Sequence, residues 1–313
     1  MTSTALRVSV FAVFVAGLWT ACASPTPPAA GPVVRRPVVQ SAASSNISDA
    51  GAAPEVDATP DATPDVVESR AYSVNCPDGM REITGDFCTG LAHRCLKGTP
   101  KGPDPFYYCD EFEPGVAKCL GKKIPKHFCI DEFEYPNERG KIPRVMVTWW
   151  DAKKLCEVDG KRLCRDDEWT LACEGAEMLP YSYGWKRDKT ACNIDHTWMK
   201  PNDTELFSKD PERMERELAR ISKRLPNGSM ARCVSPYGVY DMTGNVDEWV
   251  DRIGGHPRAE PFVSTFKGGH WVGGARNRCR PETATHDPDF YWYAEGFRCC
   301  ANASGADAGT ASP

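Results

Sequence analysis

The segment from Tyr240 to Val250 reads YDMTGNVDEWV and sets three carboxylates, Asp241, Asp247 and Glu248, around a Gly244-Asn245 pair closed by Trp249. Like charges crowded around a tight turn repel one another unless something offsets them. One way to hold such a turn is metal-free, with Asp241 accepting nearby backbone N–H groups. Any other way needs a cation, and the rest of the chain bears on which.

Outward from this segment, helices are legible on its N-terminal side. In TWWDAKKLCEVDG, Thr148 can cap a helix whose Trp149, Ala152, Leu155 and Cys156 share a face, with Gly160 as the stop. Asp166 can cap DEWTLACEG, where Trp169, Ala172 and Cys173 share a side and Gly175 ends the helix. A third helix has Asp210 as cap, Pro211 in its first turn, and Met214, Leu218, Ile221 and Leu225 at helical spacing. The pairs Glu212/Arg216 and Arg213/Glu217 stand four apart on its outer face, which makes it an amphipathic cover rather than a binding element. Between these helices the chain is dense in Gly, Pro, Asn and Asp, with short runs such as RVMVT, FVSTF and GFRCC. The expected class is α+β, irregular and loop-rich, with short strands, a few helices and many bridges.

There are fifteen cysteines; setting Cys22 aside leaves fourteen, all between Cys76 and Cys300. An even number in an exported chain reads as a disulfide framework. Zinc is the competing reading for Cys156, Cys164 and Cys173, although no CxxC pair occurs. Six of the cysteines, Cys76, Cys88, Cys95, Cys109, Cys119 and Cys129, fall in a segment whose fifteen conceivable pairings sequence does not choose among. Phe106-Tyr107-Tyr108 lies there as core or as surface. The vicinal pair Cys299-Cys300 reads as two bridges to different partners, with a redox pair as the alternative.

The N-terminus, MTSTALRVSVFAVFVAGLWTAC, has a basic start, an apolar run from Val8 to Leu18 that is far short of the ~20 residues of a spanning helix, and small residues before Cys22. Residues 1–22 are expected to be a bacterial lipoprotein signal peptide, with Cys22 acylated as a membrane anchor; plain secretion without Cys22 is the alternative. Residues 23–70, rich in Ala, Pro and Asp and without any aromatic residue, form an expected disordered linker. A Cys-rich extension over 71–128 and a main domain over 129–300 follow, then a featureless tail over 301–313. The expected location is outside the cytoplasm, on the outer face of a bacterial membrane. A formal charge of -5 without a long basic cluster argues against nucleic acid as a partner.

The blocks GKRLC…DEW, CNID, TGNVDEW, KGGHW, RNRC and GFRCC, in that order from about Cys129 to Cys300, resemble the formylglycine-generating enzyme, or sulfatase-modifying factor, family with its variant C-type-lectin-like fold. The resemblance implies two bridges, Cys156 to Cys299 and Cys173 to Cys279, with Cys300 able to stand in for Cys299. Each would close a loop of more than 100 residues, ~4–5 kcal/mol in the loop-entropy account. It also implies calcium, held at Asp241, at the carbonyls of Gly244 and Val246, and at Glu248, with a second site at Asn193 and Ile194.

Family members that oxidise a sulfatase cysteine hold copper between two thiolates. Here the matching interval, GGHWVGGARNRC from Gly268 to Cys279, has Val272-Gly273-Gly274-Ala275 where those thiols belong, so copper is not expected. Iron would need His270, His256, His286 and Glu282 to converge, whereas ergothioneine-type relatives take most iron ligands from a helical domain that this chain lacks. The expectation is a non-oxidising module whose cleft binds a peptide, glycan or protein. The alternatives are an oxidoreductase using another metal or cofactor, with His270, Arg276, Arg278 and Arg298 around a polar substrate, and a purely structural envelope protein.

Overall fold

A computed structural model describes residues 75–100, 107–253, 263–272 and 274–304. The signal segment, Cys22, the linker, His256 and the side chains of Phe106, Tyr107 and Tyr108 lie outside the described residues. The N-terminal elements are β1 (Met80–Cys88), β2 (Leu91–Ala92), β3 (Cys95–Pro100), β4 (Tyr107–Phe112), β5 (Lys118–Cys119) and β6 (Lys123–Asp131). Then come α1 (Trp149–Val158), β7 (Arg162–Leu163), α2 (Asp166–Glu174), α3 (Asp203–Leu206) and α4 (Pro211–Ile221). The last third holds β8 (Asp247–Asp251), β9 (Ser264–Lys267), β10 (Glu282–Thr283), β11 (Glu295–Phe297) and β12 (Cys299–Asn302).

Two four-stranded sheets organise these elements, in the orders β1-β6-β12-β7 and β10-β9-β8-β11. Strand β6 crosses residue 129 and pairs with β1 on one side and β12 on the other, so the Cys-rich extension shares a sheet with the chain's end. The tail expected from 301 starts later. Ala301 and Asn302 pair with Cys129 and Phe128, and Ala303 is buried against Met80 and Cys129.

Helix α1 forms where its pattern places it: Thr148 accepts from the Asp151 N–H, and Asp151 returns a bond to the Thr148 N–H. Helix α2 starts at Asp166, so its cap is Arg165 and not Asp166. Asp166 instead accepts the N–H of Ile253 and Asp167. Helix α4 has the Asp210 cap but stops at Ile221, leaving Leu225 outside it and partly exposed. Glu212 and Arg216 do pair, but Arg213 turns to Glu205 of α3 and Glu217 to Arg220. The run Arg144–Thr148 is irregular, with Met146 at φ 58°.

Strand β8 runs between two cores, and its alternation divides them. Val250 faces a cluster with Trp169, Leu171, Ile130 and Phe128, whereas Trp249 packs with Phe266, Phe297, Leu163 and Val147. A third cluster seats α3 and α4 against Val246, Trp271 and Tyr293.

Seven disulfides join all fourteen cysteines from Cys76 to Cys300. Cys156 is bonded to Cys299 and Cys173 to Cys279, the pairings that the resemblance implies. Cys300 goes to Cys164 and Cys192 to Cys233. In the extension the pairs are Cys76–Cys129, Cys88–Cys119 and Cys95–Cys109. Such a framework belongs to an oxidising compartment outside the cytoplasm. Among the described residues no helix is long and apolar enough to cross a membrane.

Candidate functional site

The turn that leads into β8 is built from left-handed residues: Asp241 has φ 62°, Gly244 86° and Asn245 59°. A Cβ on Gly244 would collide with the Asn193 carbonyl and the Ile194 side chain, so only glycine lets these two segments meet. Across that contact the Asn245 N–H donates to the Asn193 carbonyl at 3.0 Å, and Asn193 Nδ2 donates to Asn245 Oδ1 at 2.8 Å.

Asp247 parts from the other two carboxylates of the turn, while Asp241 stays within reach of the Glu248 charge and of Arg298. Asp241 Oδ2 accepts the Gly228 N–H at 2.7 Å. Glu248 lies on one face of β8, where Arg298 donates through Nε and Nη2 to its two oxygens, each at 2.7 Å, and Trp169 Nε1 adds a third bond at 2.7 Å. A fourth carboxylate, Glu134, accepts the Val246 N–H and the Asn245 amide. Nothing in its sequence neighbourhood marks Glu134 for this role. Burial and the charges of Asp241 and Glu248 push its carboxyl well above the usual range, and burial pushes Asp241 up to about 6.

Asp247 lies on the opposite face. Its Oδ1 accepts the Gly269 N–H at 3.2 Å, and its Oδ2 is ion-paired with Arg276. Strand β11 runs parallel to β8 with Glu295 in register with Asp247, so two carboxyls stand side by side on one face. Burial, with Asp247 second, pushes Glu295 up to about 8. Its Oε2 is buried with no hydrogen-bond partner among the described residues.

His270 feels the Asp247 and Arg276 charges and lies edge-on to Trp271 at 5.3 Å and to Tyr293 at 6.4 Å, with its Nδ1 accepting the Val272 N–H. Burial lowers it to about 4, which keeps it a neutral imidazole. His286 stacks on Phe290 at 4.0 Å and feels the same Arg276 and Asp247 charges.

The four residues placed around one substrate in the sequence reading therefore separate. His270 and Arg276 share the Asp247–Glu295 face. Arg298 is fully buried with Glu248 on the other face, because successive residues of a strand point to opposite sides. Arg278 turns toward Phe112 of β4, its guanidinium 5.5 Å from the ring. Glu282 pairs in register with Lys267 on β9 and lines a different pocket, with Asp166 and Arg280. Among the described residues no three His, Cys, Asp or Glu side chains are grouped to hold a metal ion. The interval from Gly268 to Cys279 has one cysteine, Cys279, and it is bonded to Cys173.

Residues 121–303 match the sulfatase-modifying factor enzyme 1-like domain. The chain belongs to that family. The match begins at the foot of β6, ahead of Cys129, and takes in both parallel carboxylate positions. The bovine (Bos taurus) inactive C-alpha-formylglycine-generating enzyme 2 is 29% identical over 184 residues, covering 53% of this chain and 52% of its own. The formylglycine-generating enzyme of Thermomonospora curvata is 28% identical over 187 residues, covering 53% and 57%. The chain thus spans about half the length of these formylglycine-generating-enzyme relatives. Among solved structures, CarF aligns at a TM-score of 0.46 and 16% identity, over 72% of this chain and 98% of its own. PvdO from Pseudomonas aeruginosa aligns at 0.43 and 17%, over 74% and 96%.

Proposed function

We propose that this family member is a non-oxidising module, exported and anchored through Cys22, whose cleft binds a ligand rather than converting one. One observation carries the reading: every cysteine from Cys76 to Cys300 is in a disulfide, so no thiol pair remains to grip copper. His270 lies within reach of the Asp247 and Arg276 charges, and Glu295 stands beside Asp247 in register. That two relatives bear the name inactive formylglycine-generating enzyme agrees with this reading. The test is copper content and oxidation of a cysteine-containing peptide by the purified chain, with a thiol count after denaturation. No stoichiometric copper, no turnover and no titratable thiol are expected of the acylated protein. Tight copper with turnover would sink the reading.

Calcium belongs to the same proposal, at the Asn193–Ile194 segment. Asn193 Oδ1 is buried with no partner among the described residues, which suits a hard cation. Glu248 fits less well, because its oxygens already accept from Arg298 and Trp169.

A further inference from the structure

Two parallel strands bring Asp247 and Glu295 side by side, and the two carboxyls are treated unequally. Arg276, on the loop between Gly274 and Arg278, pairs with Asp247. Glu295 is only 7% exposed and its Oε2 is left without a hydrogen-bond partner among the described residues. The carboxyl does accept from the backbone of Ala294 and of Glu295 itself, but a buried carboxyl oxygen left unanswered is costly. A planar guanidinium has five N–H donors in a fixed fork, enough to answer two adjacent carboxyls at once.

Arg276 does not sit there as a sealed core group. Its side chain is 36% exposed, while Asp247 beneath it is fully buried. The surroundings suit a delocalised cation as well. The buried Tyr293 feels the Glu295 charge and packs 5.7 Å from the Trp271 ring, and it accepts a hydrogen bond from Trp198, which is 53% exposed and carries the aromatic surface out to solvent. His270, neutral through burial, adds no competing charge.

We propose that Asp247 and Glu295 form a receptor for an organic guanidinium group, that Arg276 fills it as an internal stand-in, and that an external guanidinium displaces Arg276 and engages both carboxyls. The proposal rests on the binding-module reading but is tested apart from it, since copper content and peptide oxidation do not enter the measurement.

The experiment is calorimetric titration at pH 9, where Glu295 has given up its proton, of the full chain, disulfides intact, with methylguanidinium and with the tripeptide Ala-Arg-Ala, using methylammonium at equal ionic strength as reference. Wild type, Arg276→Ala, Arg276→Gln, and each Arg276 variant combined with Glu295→Gln are compared. Removing the internal competitor should tighten guanidinium binding at least tenfold over wild type, and adding Glu295→Gln should weaken it at least tenfold again. If Arg276 were only a counter-ion to Asp247, a guanidinium would still fill the hole it leaves, but Glu295→Gln would make no difference. Saturable binding that ignores Glu295→Gln, or no saturable binding in either Arg276 variant, overturns the proposal. Tripeptide binding as tight as methylguanidinium assigns the group to an arginine side chain of a polypeptide; binding of methylguanidinium alone assigns it to a small molecule, and either supports the site. Arg276→Gln, which keeps a hydrogen-bond donor, serves if the alanine variant fails to fold.

Discussion

Arg298 and Glu248 meet fully buried, with Nε and Nη2 each 2.7 Å from a carboxylate oxygen. The same guanidinium also reaches the carbonyls of Tyr240 and Asp131, so it ties β8 to the turn before it and to the end of β6. Removing one partner strands a buried charge. Glu248→Gln and Arg298→Met are each expected to cost ~3–5 kcal/mol. The double variant should recover a large part of the loss, as read by chemical denaturation. Additive losses would show that the two side chains act independently.

Glu295 makes stability depend on pH in a stated direction. Its carboxyl is raised from 4.5 to about 8, so the folded state holds the proton more tightly than the unfolded chain. That contribution is complete below about pH 4.5, declines as pH rises, and is gone above about pH 8. Asp241, raised to about 6, adds to the decline in the lower part of the window. Glu295→Gln cannot ionise and should flatten the wild-type fall in melting temperature across this range. Parallel melting curves for the two proteins would mean that Glu295 is already ionised at neutral pH.

For calcium, chelator-stripped protein should gain melting temperature on adding the ion. Asn193→Ala should lose that response, because it removes the unpartnered oxygen. A melting curve indifferent to both chelator and added calcium removes calcium from the account.

Gly244→Ala places a methyl group against the Asn193 carbonyl and the Ile194 side chain at a backbone angle of φ 86°. Left-handed strain alone costs ~1–3 kcal/mol, and the collision adds to it. A denaturation midpoint near wild type would show that the two segments separate freely.

What could be read in advance followed the range of the forces concerned. Helices α1 and α4 were legible in Thr148, Asp210 and Pro211 because capping acts within one turn. Leu225 was misplaced because apolar spacing continues past the residue where the backbone leaves the helix. The crowding of Asp241, Asp247 and Glu248 is visible in the sequence, but the partners that offset them come from afar. Glu248 finds Arg298 50 residues later, and the turn's N–H groups find Glu134 more than 100 residues earlier. Parallel register between β8 and β11, which pairs Asp247 with Glu295, has no local signature.

The adjacent bonds of Cys299 and Cys300 reach back 143 and 136 residues, to α1 and to the entrance of α2. The final strand is therefore the latch of the whole domain. A nascent chain emerging N-terminus first into an oxidising space can staple its extension early, through Cys88–Cys119 and Cys95–Cys109, and can tie α2 once Cys279 reaches Cys173, but α1 and the entrance of α2 stay unfastened until the last cysteines arrive. Premature termination upstream of Cys299 would leave Cys156 and Cys164 as exposed thiols, a ready mark by which quality control could tell an unfinished molecule from a closed one.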